Sequence, residues 1–384
     1  MGIKPFKINF PDQQLDDLKL RLVNTRWPEQ ITDSEWDYGT NLSYMKELSD
    51  YWLNDFEWRK QEQLLNSFDQ YIATIDGVNI HFIHVRGKGP NPTPLIISHG
   101  WPGSIWEMYK IIPLLTDPGS HGGDPADSFD VVIPSIPGFG FSSQPDQRGM
   151  SFSKVGDLYY KLMIDVLGYD NFGAHGGDWG GGITARLGLA YPDNIIGLHV
   201  TLLVPAPYLG LGAKALTEQE TLFLNTRDLW REKEGGYSHI QSTKPQTLSY
   251  GLMDSPVGLA AWIVEKFRTW SDCGGNIEDT YTKDELLTNI TLYWLTRSIN
   301  SSMRLYFESR QDPLILKKGE FIQPPTCVAI FPKDILCPPR EWAERIFANL
   351  QRWNVMPSGG HFPALEVPEL LVKDIRAFFR NKRM

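Results

Sequence analysis

Short apolar runs bounded by glycine, proline or polar residues punctuate residues 71–205: Tyr71–Ile75, Ile80–Val85, Leu95–Ser98, Phe129–Ile133, Phe172–His175 and Ile195–Leu203. Runs of that length and setting predict strands. Helical stretches at Lys154–Val166 and Gly181–Leu189 separate the later ones. Strand alternating with helix predicts a mostly parallel sheet. Residues 1–70 read differently, as helical and irregular chain. Leu15, Leu18 and Leu22 recur at helical spacing after Pro11, and Trp27-Pro28 stops that helix. From 206 to 320 the pattern is helical again. Asp254-Ser255-Pro256 opens a helix that runs to Trp270, and another covers roughly 284–308. Alternation resumes over 321–384, with a strand at Thr326–Phe331, a helix from Pro339 to Leu350, a strand at Asn354–Met356 and a final helix over Pro368–Arg380. A helical block between two parts of one sheet predicts a lid over the carboxyl edge of the strands, where such sheets bind ligands.

Three motifs fall at that edge. Gly176-Gly177-Asp178-Trp179-Gly180 follows a predicted strand and opens a predicted helix, the setting of a nucleophile elbow. The usual serine is an aspartate here. A carboxylate attacks an sp³ carbon that carries a leaving group, and the ester so formed is then hydrolysed. A dinucleotide turn is the competing reading, but no acid follows at the spacing a ribose contact needs. His99-Gly100-Trp101-Pro102-Gly103-Ser104 comes directly after the strand Leu95–Ser98. Such a loop supplies one oxyanion N–H and the residue after the nucleophile supplies the other, which assigns the backbone amides of Trp101 and Trp179. The base comes last in chain order. His361, in Ser358-Gly359-Gly360-His361-Phe362-Pro363, is the one histidine in the last quarter of the chain. Its orienting acid is expected just past the strand Thr326–Phe331, where Asp334 stands. Glu341 competes, but it falls in a predicted first helical turn, where acids are common for dipole reasons.

Composition narrows the partners. The 384 residues carry a net charge of −9, which argues against nucleic acid because neutralising phosphates needs a basic surface. The three cysteines, Cys273, Cys327 and Cys337, are odd in number and form no CxxC pair, so neither a disulfide framework nor a thiolate metal cluster is expected. Aromatics reach 12% with 13 Trp, enough to line an apolar pocket, although core packing uses them equally well. The first residues lack the apolar region of a signal peptide, and no apolar run approaches membrane-spanning length. The expectation is a cytoplasmic protein without a membrane anchor; oligomeric state, a homodimer included, is left open.

At these residues the sequence resembles the microsomal-type epoxide hydrolase family. The resemblance covers nearly the whole chain: Arg26-Trp27-Pro28, the His99–Ser104 segment, the Gly176–Gly180 elbow, Gly236-Tyr237-Ser238-His239, Asp254-Ser255-Pro256-Val257-Gly258, and Ser358–Phe362. It implies an α/β-hydrolase fold divided as an N-terminal meander (1–70), a first core part (71–205), a helical lid (206–320) and a second core part (321–384). It implies conversion of epoxides to vicinal diols through a covalent aspartyl ester, with no cofactor and no metal, on a small apolar epoxide. The family holds the epoxide oxygen with two lid tyrosines, which match Tyr237 and Tyr306. Without the family, Tyr306 reads as packing on the stripe Leu292, Leu295, Ile299 and Ser302, and Tyr237 as a loop aromatic. Two other readings stand beside this one. A haloalkane dehalogenase shares the elbow but has no use for a tyrosine pair, and a non-catalytic receptor on the same fold has no need of filled catalytic positions.

Overall fold

The computed structural model describes residues 2–382. Its strands are β1 (Ile3–Phe6), β2 (Gln70–Ile75), β3 (Val78–Val85), β4 (Thr93–Ser98), β5 (Phe129–Pro134), β6 (Phe172–Gly176), β7 (Ile195–Val200), β8 (Thr326–Ile330) and β9 (Leu350–Val355). They form one nine-stranded sheet in the order β1-β2-β3-β5-β4-β6-β7-β8-β9. The first three strands and the β3–β5 pair run antiparallel; from β5 to β9 every pairing is parallel. Asp76-Gly77 makes the β2–β3 turn with φ of 50° and 81°, the mirror-image turn that fits strand twist and that Asp-Gly tolerates. Strands β5, β6 and β8 are buried along their whole length, which is why they read as continuous apolar runs rather than alternating ones.

Helices from Glu218 to Gln311 form the insertion between β7 and β8. The N-terminal meander grips it from outside. The Trp52 indole donates to Thr291 Oγ1 at 3.0 Å, the Thr40 hydroxyl to the Ala261 carbonyl at 2.8 Å, and Arg21 pairs with Asp254 at 2.8 Å. On the sheet itself, His175, His199 and Cys327 sit side by side in register on β6, β7 and β8. Asp374 on the C-terminal helix (Pro368–Phe379) meets that row, accepting from His199 Nε2 at 3.0 Å and from Arg352 at 3.0 Å. This docks the helix on the sheet through a buried polar network.

Four details differ from the sequence expectation. The meander contains β1, an exposed edge strand whose Pro5 needs no ladder partner. The helix expected over 284–308 is two, Lys283–Thr296 and Ile299–Gln311, broken where Arg297 turns left-handed at φ 54°. The helix expected from Pro339 ends at Glu344, and β9 begins at Leu350. The strand expected to reach Leu203 stops at Val200.

Candidate active site

The elbow is built by glycines where nothing larger fits. Asp178 starts the helix that follows β6 and holds φ of +46°, which presents its carboxylate outward. A Cβ on Gly100 would lie 2.3 Å from the Asp178 side chain, and one on Gly180 would lie 2.0 Å from the Ser98 carbonyl oxygen. The two loops therefore approach backbone to backbone. That approach lets the Trp101 amide donate to Asp178 Oδ1 at 2.7 Å. Trp179 is the second residue of the helix, and its amide is among those a helix leaves without an internal partner. Asp178 Oδ2 faces the other way, 3.5 Å from His361 Nε2.

His361 Nδ1 lies 2.6 Å from Asp334 Oδ1, which also accepts the Ile335 amide. The imidazole and the Asp334 carboxylate are each 2% exposed. Burial alone disfavours imidazolium, but Asp334 and then Asp178 outweigh it, so the protonated form is held well above the usual histidine range. The competitor Glu341 lies in the first turn of the helix Arg340–Glu344, as its spacing indicated.

Tyr237 and Tyr306 converge on the same space from two lid helices, with ring centroids 5.9 Å apart. Trp101 stacks on Tyr237 at 5.4 Å and meets Tyr306 edge-on at 5.8 Å. The Lys266 ammonium lies 4.8 Å over the Tyr237 ring. Both phenols are pushed well above the usual tyrosine range. Burial is the main cause for each; the Asp178 charge adds to it, next after burial for Tyr237 and after Tyr237 itself for Tyr306. They are protonated phenols, not anions, at any ordinary pH.

Sequence reasoning missed three contributors. Trp270, at the end of a lid helix, packs 5.0 Å from the His361 ring, and its carbonyl accepts the His361 amide at 2.8 Å. Glu366 accepts the amides of Asp272, Gly360 and Phe362 at 2.8, 2.9 and 2.8 Å, and so pins the His361 loop to the lid. Glu107, from the turn after the His99–Ser104 loop, has its carboxyl against Gly103, where a Cβ would lie 2.3 Å from Oε2. Its signal is a glycine four residues ahead in the loop, which no periodicity reveals.

Burial is the largest influence on Glu107 and lifts its carboxyl to about 8; His361 opposes that, and Asp178 reinforces it. Because the folded value lies above the ordinary 4.5, the folded state binds more protons than the unfolded state between them. Stability from this group is therefore lost as pH rises from 4.5 to about 8 and is level above that. Glu107→Gln should raise the melting temperature relative to the parent by an amount that grows across that window, a matter of a few kcal/mol at most. A melting difference independent of pH would mean the carboxyl is ionised throughout.

Among the described residues, no helix is long and apolar enough to cross a membrane. A family model described as the N terminus of epoxide hydrolases matches residues 3–108, and one described as the alpha/beta hydrolase fold matches 93–244. The chain is 41% identical over 402 residues to epoxide hydrolase 1 of Sus scrofa, covering 98% of this chain and 88% of that one. It is 39% identical over 403 residues to epoxide hydrolase 1 of Oryctolagus cuniculus, again covering 98% and 88%. The crystal structure of the juvenile hormone epoxide hydrolase of the silkworm Bombyx mori superposes with a TM-score of 0.89 at 31% identity, over 100% of this chain and 95% of that one. The Aspergillus niger epoxide hydrolase gives 0.86 at 31%, over 99% and 97%. By its sequence over the full length, its sheet and its inserted helical lid, the chain belongs to the microsomal-type epoxide hydrolase family, on the α/β-hydrolase fold, and is an epoxide hydrolase.

Proposed function

We propose that Asp178 is the nucleophile of this epoxide hydrolase, His361 with Asp334 its base and orienting acid, and Tyr237 and Tyr306 the donors to the epoxide oxygen. The observation that carries this is the split environment of the Asp178 carboxylate. Oδ1 is held by the Trp101 amide at 2.7 Å, while Oδ2 stands 3.5 Å from His361. In that arrangement Oδ2 attacks an epoxide carbon from behind as the C–O bond breaks, and the leaving oxygen takes a proton from a phenol. Oδ1 becomes the ester carbonyl oxygen, already at the donors that will hold its negative charge in the second step. His361 then takes a proton from water, which attacks the carbonyl carbon. The ester C–O bond to the enzyme's carboxyl carbon breaks, the departing oxygen takes the proton back from His361, and the proton of the regenerated Asp178 carboxyl returns to the phenolate as the diol leaves.

Esterification also prepares the base. With Asp178 neutralised, one of the two carboxylates that hold His361 protonated is gone, so its pKa falls when a base is needed. Hydrolysis of the ester should accordingly be the step that speeds up with rising pH.

The tyrosine pair separates this reading from a dehalogenase, because a halide needs no proton. Losing one hydrogen-bond donor in a dry oxyanion site costs roughly 10²–10³-fold in rate. The second phenol partly compensates, so Tyr237→Phe or Tyr306→Phe alone should slow alkylation less than the double variant does. Phenylalanine keeps the ring volume, so the fold should survive. Stopped-flow Trp fluorescence isolates alkylation from hydrolysis. A double variant that alkylates as fast as the parent would make the two phenols packing residues and end this account of leaving-group activation.

A further inference from the structure

Asp178, Tyr237 and Tyr306 line a cavity of about 250 Å³ whose lining also includes Arg227 and Arg231. The Asp178 side chain is 15% exposed, Arg227 24% and Arg231 61%, so exposure rises from the reactive groups to the Arg231 guanidinium at the mouth. Phe223, Arg227 and Arg231 belong to the lid helix Glu218–Glu234 at positions i, i+4 and i+8, the spacing that aligns side chains along one helix face. That face lines the cavity, and Phe223 packs there against Trp342, with ring centroids 5.4 Å apart. Val204 and Leu336 add apolar lining to the same cavity.

The two cations share one carboxylate. Arg227 donates to Asp228 Oδ1 at 2.9 and 3.1 Å, and the nearest Arg231 nitrogen is 3.7 Å from the same oxygen. Burial, then Arg227, pull the Arg231 guanidinium below its ordinary range, with Asp228 opposing them. One positive charge at the mouth is left over, on a residue whose donors are not bound in a close pair.

We propose that this mouth is a carboxylate subsite, so that the enzyme prefers epoxides with an apolar chain ending in a carboxylate. The inference rests on the assignment of Asp178 and the tyrosine pair as the reacting end. A guanidinium presents a planar fork of donors that matches a carboxylate, which suits this anion above a neutral ester or alcohol. The cavity volume sets the chain length. At the ~30 Å³ that a water molecule occupies in the liquid, the cavity holds about eight non-hydrogen atoms, so the epoxide and a short chain fill it while the carboxylate emerges at the arginines.

The test uses the full-length enzyme and three probes: epoxyoctanoate with its epoxide on the terminal carbon pair, its methyl ester, and the neutral terminal epoxide of octene. The expected kcat/KM favours the acid over the ester by about tenfold, the low end for a hydrogen bond to a charged group, and the preference shrinks as salt is added. In the double variant Arg227→Gln with Arg231→Gln, the acid-to-ester ratio should fall to about one. A parent ratio at or below one, or a ratio the double variant leaves unchanged, overturns the subsite while neutral epoxides are still hydrolysed. Failure to hydrolyse any of the three would instead overturn the assignment of the reacting end, and the subsite with it.

Discussion

Asp178→Ala should lower epoxide turnover by roughly 10⁴–10⁶-fold, the range found when one member of a coupled catalytic set is deleted. No other carboxylate stands in for it. Asp334 is 2% exposed and bonded to His361, and Glu107 is a buried acid lifted to about 8 and protonated at neutral pH. The substitution also changes the backbone balance. Asp178 holds φ of +46°, a region that costs most L-residues about 1–2 kcal/mol and that aspartate and asparagine tolerate better. Asp178→Asn is therefore the companion variant. Its amide oxygen still accepts the Trp101 N–H, yet the group is a poor nucleophile. Both variants should be nearly inactive, and the asparagine form should melt closer to the parent. In the parent, a single turnover in heavy-oxygen water should yield an unlabelled diol, because the new oxygen comes from Oδ2. A labelled first-turnover diol, or Asp178→Ala retaining more than about a hundredth of parent activity, would mean that water attacks the epoxide directly.

His361→Gln should separate the two halves of the reaction. Alkylation needs the Asp178 carboxylate and the phenols, so it should proceed. Hydrolysis of the ester needs a base, so it should stop, with a loss of the same order as for Asp178. Intact-mass measurement should then show enzyme plus one substrate, mapped to the peptide that contains Asp178. Glutamine removes the imidazolium that stands 3.5 Å from Oδ2, so alkylation is expected to change somewhat through the altered field at the nucleophile. A variant that never accumulates adduct, with alkylation shown intact by fluorescence, would place the rate of ester hydrolysis outside the control of His361.

The parts of the site that were legible in the sequence were those that glycine betrays. The elbow and the His99–Ser104 loop need residues without side chains because two backbones meet there, and this constraint shows as a motif. His361 and Asp334 were legible through chain order, each standing just beyond a strand at the carboxyl edge. Tyr237 and Tyr306 were not legible from pattern, because a buried tyrosine on an apolar helix face has the same spacing as a packing residue; the family resemblance supplied them. Glu366 left no trace and Glu107 only the glycine four residues ahead of it, since each acts through backbone proximity that only the folded loops create. The fold divides the same way. Long apolar strands were read within two or three residues, but β1, four exposed edge residues with a proline, carries too little pattern to see.

The bolting of the base loop to the lid sets where this protein can be cut and recombined. The His361 amide is bonded to the Trp270 carbonyl, the Gly359 amide to Asp272, and the Asp272 amide to Glu366. In sequence these partners belong to two segments separated by three α-helices and two strands; in energetic terms they are one unit. A chimera that takes its lid from one relative and its C-terminal segment from another mixes halves of that unit, and the base is the residue displaced. Libraries that shuffle lids for altered selectivity should therefore inherit residues 270–272 and 358–366 from the same parent. Crossovers that separate the two segments should be enriched among proteins that fold and alkylate but do not turn over.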